Sequence, residues 1–158
     1  DGILTFVSAD KNNLQTTEQI SLTADFTLGL RINTITTNGT FLADNTSDDE
    51  FFKFSGVSSD RIALRIAGSA SINLDLDSGT FEDDYLVITR VSNVLTLYRN
   101  GVPQTGTTPT VSGTSLIDAI GIRELDTNAF DGTISEIQIY SSASDNLTTN
   151  INDRLSTL

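Results

Sequence analysis

The sequence predicts an all-β domain in which two antiparallel sheets pack as a sandwich and one short helix closes the chain. Three observations carry this prediction. Apolar and polar residues alternate with a period of two in many short segments, such as Phe26, Leu28, Leu30 and Ile32, and this alternation is typical of strands with one buried face. Turn-forming residues separate the segments, and a helical period begins only after Ser144. Many short strands with regular turns indicate a sandwich or a jelly roll.

The strands are predicted where apolar alternation or a β-branched run lies between turn signals. In order along the chain they are Ile3–Val7, Phe26–Ile32, Thr40–Ala43, Glu50–Phe54, Ile62–Ile66, Ile72–Leu76, Tyr85–Arg90, Val94–Arg99, Leu116–Ile122 and Thr133–Tyr140. The strongest hairpin signal is Asn100-Gly101, because a type I′ turn needs positive φ at both of its central residues.

The segments that begin at Ile62 and Ile72 are predicted to form a hairpin around a five-residue turn. An odd number of turn residues keeps both apolar sets on one face. In this register Ile66 faces Ile72 and Arg61 faces Asp77. The charge pair on the polar face contributes only about 0.2–1 kcal/mol.

The last segment is predicted to be an amphipathic helix, which Ser144 or Asp145 caps by accepting a free N–H of the first turn. Arg154 near its end complements the helix dipole. The residues that form its apolar stripe are Leu147, Ile151, Leu155 and Leu158.

Two stretches stand out by their motifs. The first, at Phe130–Tyr140, reads F-D-G-T-I-S-E-I-Q-I-Y and precedes the helix, and the second, at Tyr85–Val102, reads Y-L-V-I-T-R-V-S-N-V-L-T-L-Y-R-N-G-V. Both resemble signatures of the concanavalin A-like lectin/glucanase superfamily, in particular its laminin G-like jelly rolls, and the second is similar to the central hairpin of that family. The resemblance implies a two-sheet antiparallel jelly roll. Because unrelated activities share this fold, function has to be argued from the site.

The length of 158 residues and the absence of a linker or repeat predict one domain over residues 1–158. Because the chain starts at Asp1 rather than Met, we expect it to be excised from a larger protein.

No apolar run approaches the roughly 20 residues of a membrane span, so no membrane insertion is expected. The net charge of −12 opposes the basic surface that phosphate backbones require, which makes nucleic acid a poor partner.

The chain lacks the residues that several kinds of catalysis usually require. The chain has no His and no Cys, the side chains most often used as a general base, a thiolate nucleophile or a zinc ligand. Glucanases of the superfamily use a strand of pattern E-x-D-x-(x)-E, of which Glu124-Leu125-Asp126 is a fragment without the third acid. Glu136 stands alone on its strand, whereas glycoside hydrolysis needs two carboxyl groups at a set separation. A glycoside hydrolase or polysaccharide lyase is therefore disfavoured, and the chain is predicted not to be an enzyme.

Calcium is the one cofactor that the sequence suggests. Loops dense in Asp and Asn supply the six to eight oxygens that Ca²⁺ prefers, and laminin G-like domains often carry one Ca²⁺ at a loop rim. Three acidic clusters qualify, although solvated loop acids are the ordinary explanation for each. The first choice is Asp126, Asn128 and Asp131, where oxygen donors precede a glycine turn.

A ligand site is predicted around the consecutive rings Phe51 and Phe52, since one of two neighbouring strand residues must point away from the core. Phe52 is placed at a binding rim beside Asp48 and Asp49. Arg31, Arg61 and Arg65 are predicted to line a polar sheet face that binds acidic or hydroxylated ligands. The alternative is that these arginines only neutralise neighbouring Asp residues and that the outward ring packs under a loop.

The predicted function is therefore a non-catalytic module that binds a carbohydrate or another cell-surface ligand, in an extracellular, cell-surface or virion location. The chain departs from the family that it resembles, since it has no Trp, no third catalytic acid and no cysteine pair near the C-terminus, and these departures favour a microbial or viral source over an animal matrix protein. The alternative is a structural domain of a virion or phage tail fibre, or a spacer in a microbial surface protein, with a homo-oligomer formed through flanking segments.

Overall fold

The computed structural model describes residues 2–56, 59–123 and 128–158. Within these ranges the chain forms two six-stranded antiparallel sheets, as predicted. Sheet A contains, in spatial order, β1 (Leu4–Phe6), β12 (Asp131–Tyr140), β3 (Phe26–Thr37), β8 (Tyr85–Val91), β9 (Val94–Arg99) and β10 (Val102–Pro103). Sheet B contains β2 (Leu14–Leu22), β11 (Ser115–Ile120), β4 (Thr40–Ala43), β5 (Phe51–Ser55), β6 (Arg61–Arg65) and β7 (Ile72–Asp75). Helix α1 spans Asp145–Leu155.

The inner faces of the two sheets enclose one aromatic-rich core. Seven of the eight phenylalanines belong to it, and neighbouring rings meet at centroid distances such as 4.9 Å between Phe41 and Phe54. Aromatic pairs at this separation add about 0.5–1.5 kcal/mol to the gain from burial. Phe51 is the exception, since it packs with Ala43 and Ala63 in a separate small cluster.

The predicted strands are present, and β2 is an additional strand that the sequence did not reveal. Its first six residues are exposed, and it forms the edge of sheet B. Its pairing with β11 is irregular, because Ile20 lies opposite Ile117 whereas Gln15 lies opposite Ala119. An exposed and bulged edge strand has no core-facing alternation to detect, which explains the omission.

The hairpin of β6 and β7 forms, but the predicted register is wrong by two residues. Arg61 lies opposite Asp75 rather than Asp77, and Leu64 lies opposite Ile72. The cause is a tight turn in which the C=O of Ile66 accepts a hydrogen bond from the N–H of Ser69 at 3.0 Å. This turn removes Ile66 from the ladder. Because the shift is even, every apolar residue keeps its inward face.

Helix α1 lies on the outer face of sheet A, against β3 and β8. Ser144 caps it, since its Oγ accepts the N–H of Leu147 at 3.2 Å. Ile151 and Leu155 are 2% and 0% exposed and pack with Val87. A Cβ on Gly29 of β3 would lie 2.6 Å from Cγ2 of Ile151, so glycine is what allows the helix to approach this closely. No helix in the described ranges has the length and apolar character that crossing a membrane requires.

Arg90 connects neighbouring loops at one end of the sandwich through hydrogen bonds. Its side chain is 1% exposed and donates to the carbonyls of Ala24 at 2.8 Å, Gly113 at 2.9 Å and Leu22 at 3.1 Å. The guanidinium also lies 4.8 Å from the ring centroid of Phe26. A buried cation is tolerated only when its donors are satisfied, and here backbone carbonyls accept its hydrogen bonds.

Candidate functional site

The outer face of sheet B is the sheet surface that α1 leaves uncovered. Alternation along β5 and β6 sends every second side chain to this face. The strand pairing then places Arg65 opposite Phe51, Ala63 opposite Lys53, and Arg61 opposite Ser55. A ring and three basic side chains are thus brought onto one surface by two adjacent strands.

The aromatic ring on this face is Phe51, so the prediction that Phe52 lies at a binding rim is wrong. Phe52 is 0% exposed and belongs to the main core. The order Phe52, Lys53, Phe54 in the sequence indicates which of the two neighbouring rings points outward. A lysine between two phenylalanines in a strand fixes the polar face, and Phe51 shares the face of Lys53.

Three cations lie around the Phe51 ring. The distances to its centroid are 4.6 Å from Cζ of Arg123, 5.6 Å from Nζ of Lys53 and 5.7 Å from Cζ of Arg65. The Phe51 ring is 3% exposed, and a cation–π contact contributes from about 0.5–1 kcal/mol at exposed sites to about 2 kcal/mol where it is desolvated. Ala43 and Ala63, which pack against the ring, are small, and this leaves space for the long basic side chains. We call Phe51, Lys53, Arg65 and Arg123 the Phe51 cluster.

Four of the charged residues predicted for the ligand site do come together on or beside this face. Nη1 of Arg65 lies 3.4 Å from Oδ2 of Asp48 and 4.0 Å from Oδ1 of Asp49, and it donates to the Asp48 carbonyl at 3.1 Å. Arg61 lies four residues away on the same strand, with its Nε 3.1 Å from Oδ1 of Asp75. Arg31, which was predicted to line the same face, lies in β3 of sheet A instead. These partly exposed ion pairs contribute at most about 1 kcal/mol each.

Lys53 and Arg123 are the cluster residues that sequence reasoning missed. Burial lowers the pKa of Lys53, and the positive charge of Arg123 lowers it further. Lys53 was detectable from its place between two inward phenylalanines. Arg123 was not, because it follows the end of β11 and reaches Phe51 only through tertiary packing.

The structure describes two of the three predicted calcium ligands, since Asp126 lies outside the described residues. The C=O of Asn128 accepts the N–H of Thr40 at 2.8 Å. Oδ2 of Asp131 accepts from Oγ of Ser8 at 3.0 Å. In residues 2–56, 59–123 and 128–158, no three acidic side chains are grouped so as to hold a metal ion.

Two buried acids lie near one end of sheet B. Asp44 and Glu50 are 4% and 7% exposed. Burial raises the pKa of Glu50, and the charges of Asp44 and then Asp49 raise it further. Asp44 is held by Gln19, whose Nε2 donates to Oδ2 at 2.9 Å. Because both side chains are buried, neither is presented to a polymeric substrate.

A polar concavity of about 400 Å³ lies on the opposite side of the molecule, beside the end of α1. Its charged groups form an ion pair in which Nη2 of Arg154 lies 2.7 Å from Oε2 of Glu136. The hydrogen bond from Arg154 lowers the pKa of Glu136. A carboxylate held ionised in this way is unsuited to act as a general acid.

A family model described as the concanavalin A-like lectin/glucanases superfamily, of laminin G type, matches residues 8–146 of the chain. No curated protein sequence matches the chain. Among solved structures, a native heptameric SAP-like pentraxin from Limulus polyphemus superposes with a TM-score of 0.68 and is 15% identical, over 89% of this chain and 73% of the pentraxin.

Two enzymes contain domains of similar fold. Domain 4 of an extracellular GH43 arabinanase from Geobacillus stearothermophilus, in complex with arabinotriose, gives a TM-score of 0.55 at 18% identity, over 84% of this chain and 66% of that domain. The Trypanosoma rangeli sialidase in complex with sialic acid gives 0.53 at 16% identity. The match covers 84% of this chain but only 23% of the sialidase. At such identities these likenesses show the fold alone.

Proposed function

The chain belongs to the concanavalin A-like lectin/glucanases superfamily, and we propose that it is a non-catalytic module that binds a glycan or another cell-surface ligand through the outer face of sheet B. One observation carries the proposal. The helix covers the outer face of sheet A, whereas the outer face of sheet B presents the partly exposed basic side chains that lie over the buried Phe51 ring, and the Arg61–Asp75 pair. Polar groups fixed on a rigid sheet are better placed for recognition than groups on loops.

The chemistry of this face suits a hydroxylated ligand. Arginine presents five N–H donors in a planar fork, and carboxylates supply acceptors. Arg61 and Arg65 are each held beside an aspartate, so donors and acceptors alternate over a short distance. Sugar hydroxyls can both donate and accept, and an alternating surface satisfies both roles.

The acids of the described residues support a binding role rather than a hydrolytic one. Glycoside hydrolysis requires an accessible acid with a raised pKa and a second carboxylate at a set separation. Glu50 has the raised pKa but is buried, and Glu136 is paired with Arg154. The absence of His and Cys from the sequence agrees with this reading.

The similar structures suggest the first probes. The arabinanase domain was solved with arabinotriose, so short neutral oligosaccharides belong in the test beside charged ones. An extracellular or virion location is part of the same proposal, because glycan ligands of this kind lie on cell surfaces. Calcium at the loop around Asn128 and Asp131 stays a proposal, with Asp126 as its third ligand.

The test is a glycan array probed with the protein displayed multivalently, with and without Ca²⁺. Multivalency is needed because a single sugar site of millimolar affinity corresponds to only about −4 kcal/mol. We expect saturable binding that Arg65→Ala weakens. Arg31→Ala is the matched control, since Arg31 is also a partly buried arginine paired with an aspartate, Asp83, but belongs to sheet A.

Absence of any glycan hit at every valency would contradict the proposal. If light scattering then showed a stable oligomer, the structural role in a virion or surface protein would replace it. Equal loss of binding in Arg65→Ala and Arg31→Ala would place the site somewhere other than the outer face of sheet B.

A further inference from the structure

Strand β12 contains a β-bulge that changes which of its side chains face outward. Its ladder with β3 shifts by one residue between Ile134 and Glu136. In a regular strand these two residues would share a face, yet Ile134 is buried in the main core, whereas Glu136 accepts a hydrogen bond from Arg154 of α1 on the outer side of sheet A. Bulges re-aim side chains in this way and are frequent beside functional sites. Here the bulge brings Ser135 and Glu136 together into one concavity.

This concavity is the polar one of about 400 Å³ beside the end of α1. Its polar lining comes from two strands and from the C-terminal part of the chain, and we call it the α1 concavity: Asn33, Ser135, Glu136, Arg154 and Thr157. Sites for small molecules measure about 300–1,000 Å³. A volume near the lower end of that range suits one ligand of the size of a sugar ring and does not enclose a long chain.

The charges inside the α1 concavity cancel. Nη2 of Arg154 lies 2.7 Å from Oε2 of Glu136, and Nε of Arg154 donates to Oε1 at 3.3 Å, so the pair is bidentate. Within the described ranges, no other charged side chain lines the concavity. An acidic ligand would have to displace Glu136 from the arginine, and a basic ligand would meet the guanidinium. The α1 concavity therefore suits an uncharged ligand.

Several hydrogen-bonding groups of the concavity remain available to such a ligand. Arg154 uses two of its five N–H groups on Glu136, which leaves three. Oδ1 of Asn33 accepts from Oγ of Ser135 at 2.5 Å, and within the described ranges its Nδ2 donates to no protein atom. The hydroxyls of Ser135 and Thr157 each donate one hydrogen bond, so their oxygens can still accept. Free donors and free acceptors thus lie within one small concavity.

The carboxylate of Glu136 is also held from the side of its own strand. Gln138 donates to Oε1 of Glu136, and Oη of Tyr140 donates to Oε1 of Gln138 at 3.1 Å. Hydrogen bonds arranged in a chain polarise and strengthen one another. The row therefore orients the carboxylate before a ligand arrives, and groups that are already ordered lose less freedom on binding.

We propose that the α1 concavity is a second ligand site, which binds one uncharged sugar ring, with Asn33 and Arg154 donating to its hydroxyl oxygens and Glu136 accepting from its hydroxyl groups. A hydroxyl both donates and accepts, so neighbouring hydroxyls of a sugar can bond to the arginine and the glutamate together. Ile3, which is 57% exposed, and Leu158 provide an apolar edge for the C–H groups of the ring. This site lies across the sandwich from the outer face of sheet B, and it goes beyond the proposed function without depending on it.

The experiment is a titration of the ¹⁵N-labelled protein, followed by NMR, with the methyl glycosides of glucose, galactose and mannose. We expect at least one of them to shift the amide signals of Asn33, Ser135 and Thr157 saturably. The uronic acid and the amino sugar derived from that hexose, also as methyl glycosides, should each bind about tenfold or more weakly, because each brings a charge against its like in the ion pair.

A variant at Asn33 assigns the binding to the concavity. Asn33→Asp keeps an oxygen that accepts from Ser135 and removes the two N–H donors, so the affinity for the hexose should fall about tenfold or more. Asn150→Asp is the matched control, since it makes the same chemical change at an exposed position of α1 outside the concavity. Thermal unfolding verifies that each variant folds, and Ser135→Ala, with the same expected loss, replaces Asn33→Asp if that variant does not fold.

The possible results separate this site from the proposed function. If none of the three glycosides shifts the amides around the α1 concavity saturably, the second site is excluded, and the glycan array still decides on the outer face of sheet B. Shifts confined to the amides around Lys53 and Arg65 would exclude the second site and support the proposed function. Equal affinity of Asn33→Asp and the unmodified protein, or tighter binding of a charged derivative than of the hexose, would also overturn the inference.

Discussion

The packing of α1 on sheet A gives the sharpest prediction about stability. Ile151→Ala removes three carbon atoms from a side chain that is 2% exposed. At about 0.8 kcal/mol for each buried CH₂, the loss of burial amounts to about 2.4 kcal/mol. The cavity left between the helix and β8 adds to this, so we expect a total near 3 kcal/mol, inside the range of about 2–5 kcal/mol seen for such truncations.

The measurement is urea unfolding followed by far-ultraviolet circular dichroism, with the free energy taken from the midpoint and slope. Asn150→Ala is the control, since the neighbouring residue is exposed and should change stability by less than about 0.5 kcal/mol. A change that small for Ile151→Ala would refute the reasoning, because it would mean that α1 adds nothing to the folded domain.

A double-mutant cycle with Gly29 tests the contact itself. A Cβ at Gly29 would lie 2.6 Å from Cγ2 of Ile151, so Gly29→Ala alone should destabilise the domain. Ile151→Ala removes the atom that clashes, and Gly29→Ala should then cost much less in that background. Additive effects of the two substitutions would contradict a direct contact, because only residues that interact deviate from additivity.

Three further predictions concern charge and metal. Glu50→Gln should stabilise the protein at pH 7, because the fold raises the pKa of Glu50 and so disfavours its ionised form. The gain in stability should vanish as the pH falls below the ordinary glutamate pKa of about 4.3. A gain in stability that does not depend on pH would count against this cause. Arg90→Met should cost more than about 2 kcal/mol, since buried carbonyls lose their donor; a neutral result would show that water replaces the guanidinium. Millimolar Ca²⁺ should raise the melting temperature relative to chelator by linkage, and Asp131→Ala should remove the shift; identical melting curves would exclude calcium.

The sequence predicted those elements whose residues face the core. The alternation in β3, β6 and β7 and the cap at Ser144 are local signals, and each has its counterpart in the structure. The edge strand β2 was not predicted, because its side chains are mostly exposed. A strand that buries little has no hydrophobic period, whatever its hydrogen bonds.

The candidate site was predicted in composition but not in detail. Asp48 and Asp49 lie beside Arg65, and Arg61 lies on the same strand as Arg65, but their role in ligand binding stays a prediction. Phe52 was chosen over Phe51 although the adjacent Lys53 marked the polar face. Arg123 lies more than fifty positions from Phe51 in the sequence, and a contact of that separation has no local signature.

The turn between β6 and β7 sets the register of the hairpin, and this has a consequence for how such a surface diversifies. A register different by two residues would move a side chain about 7 Å along its strand and leave inward residues inward. In this chain Asp75 lies opposite Arg61, and Asp77 accepts the N–H of Gly106 at 2.7 Å. A change in turn length can therefore rearrange the charges of the outer face at no expense to the core, so related chains can acquire different ligand preferences while folding alike.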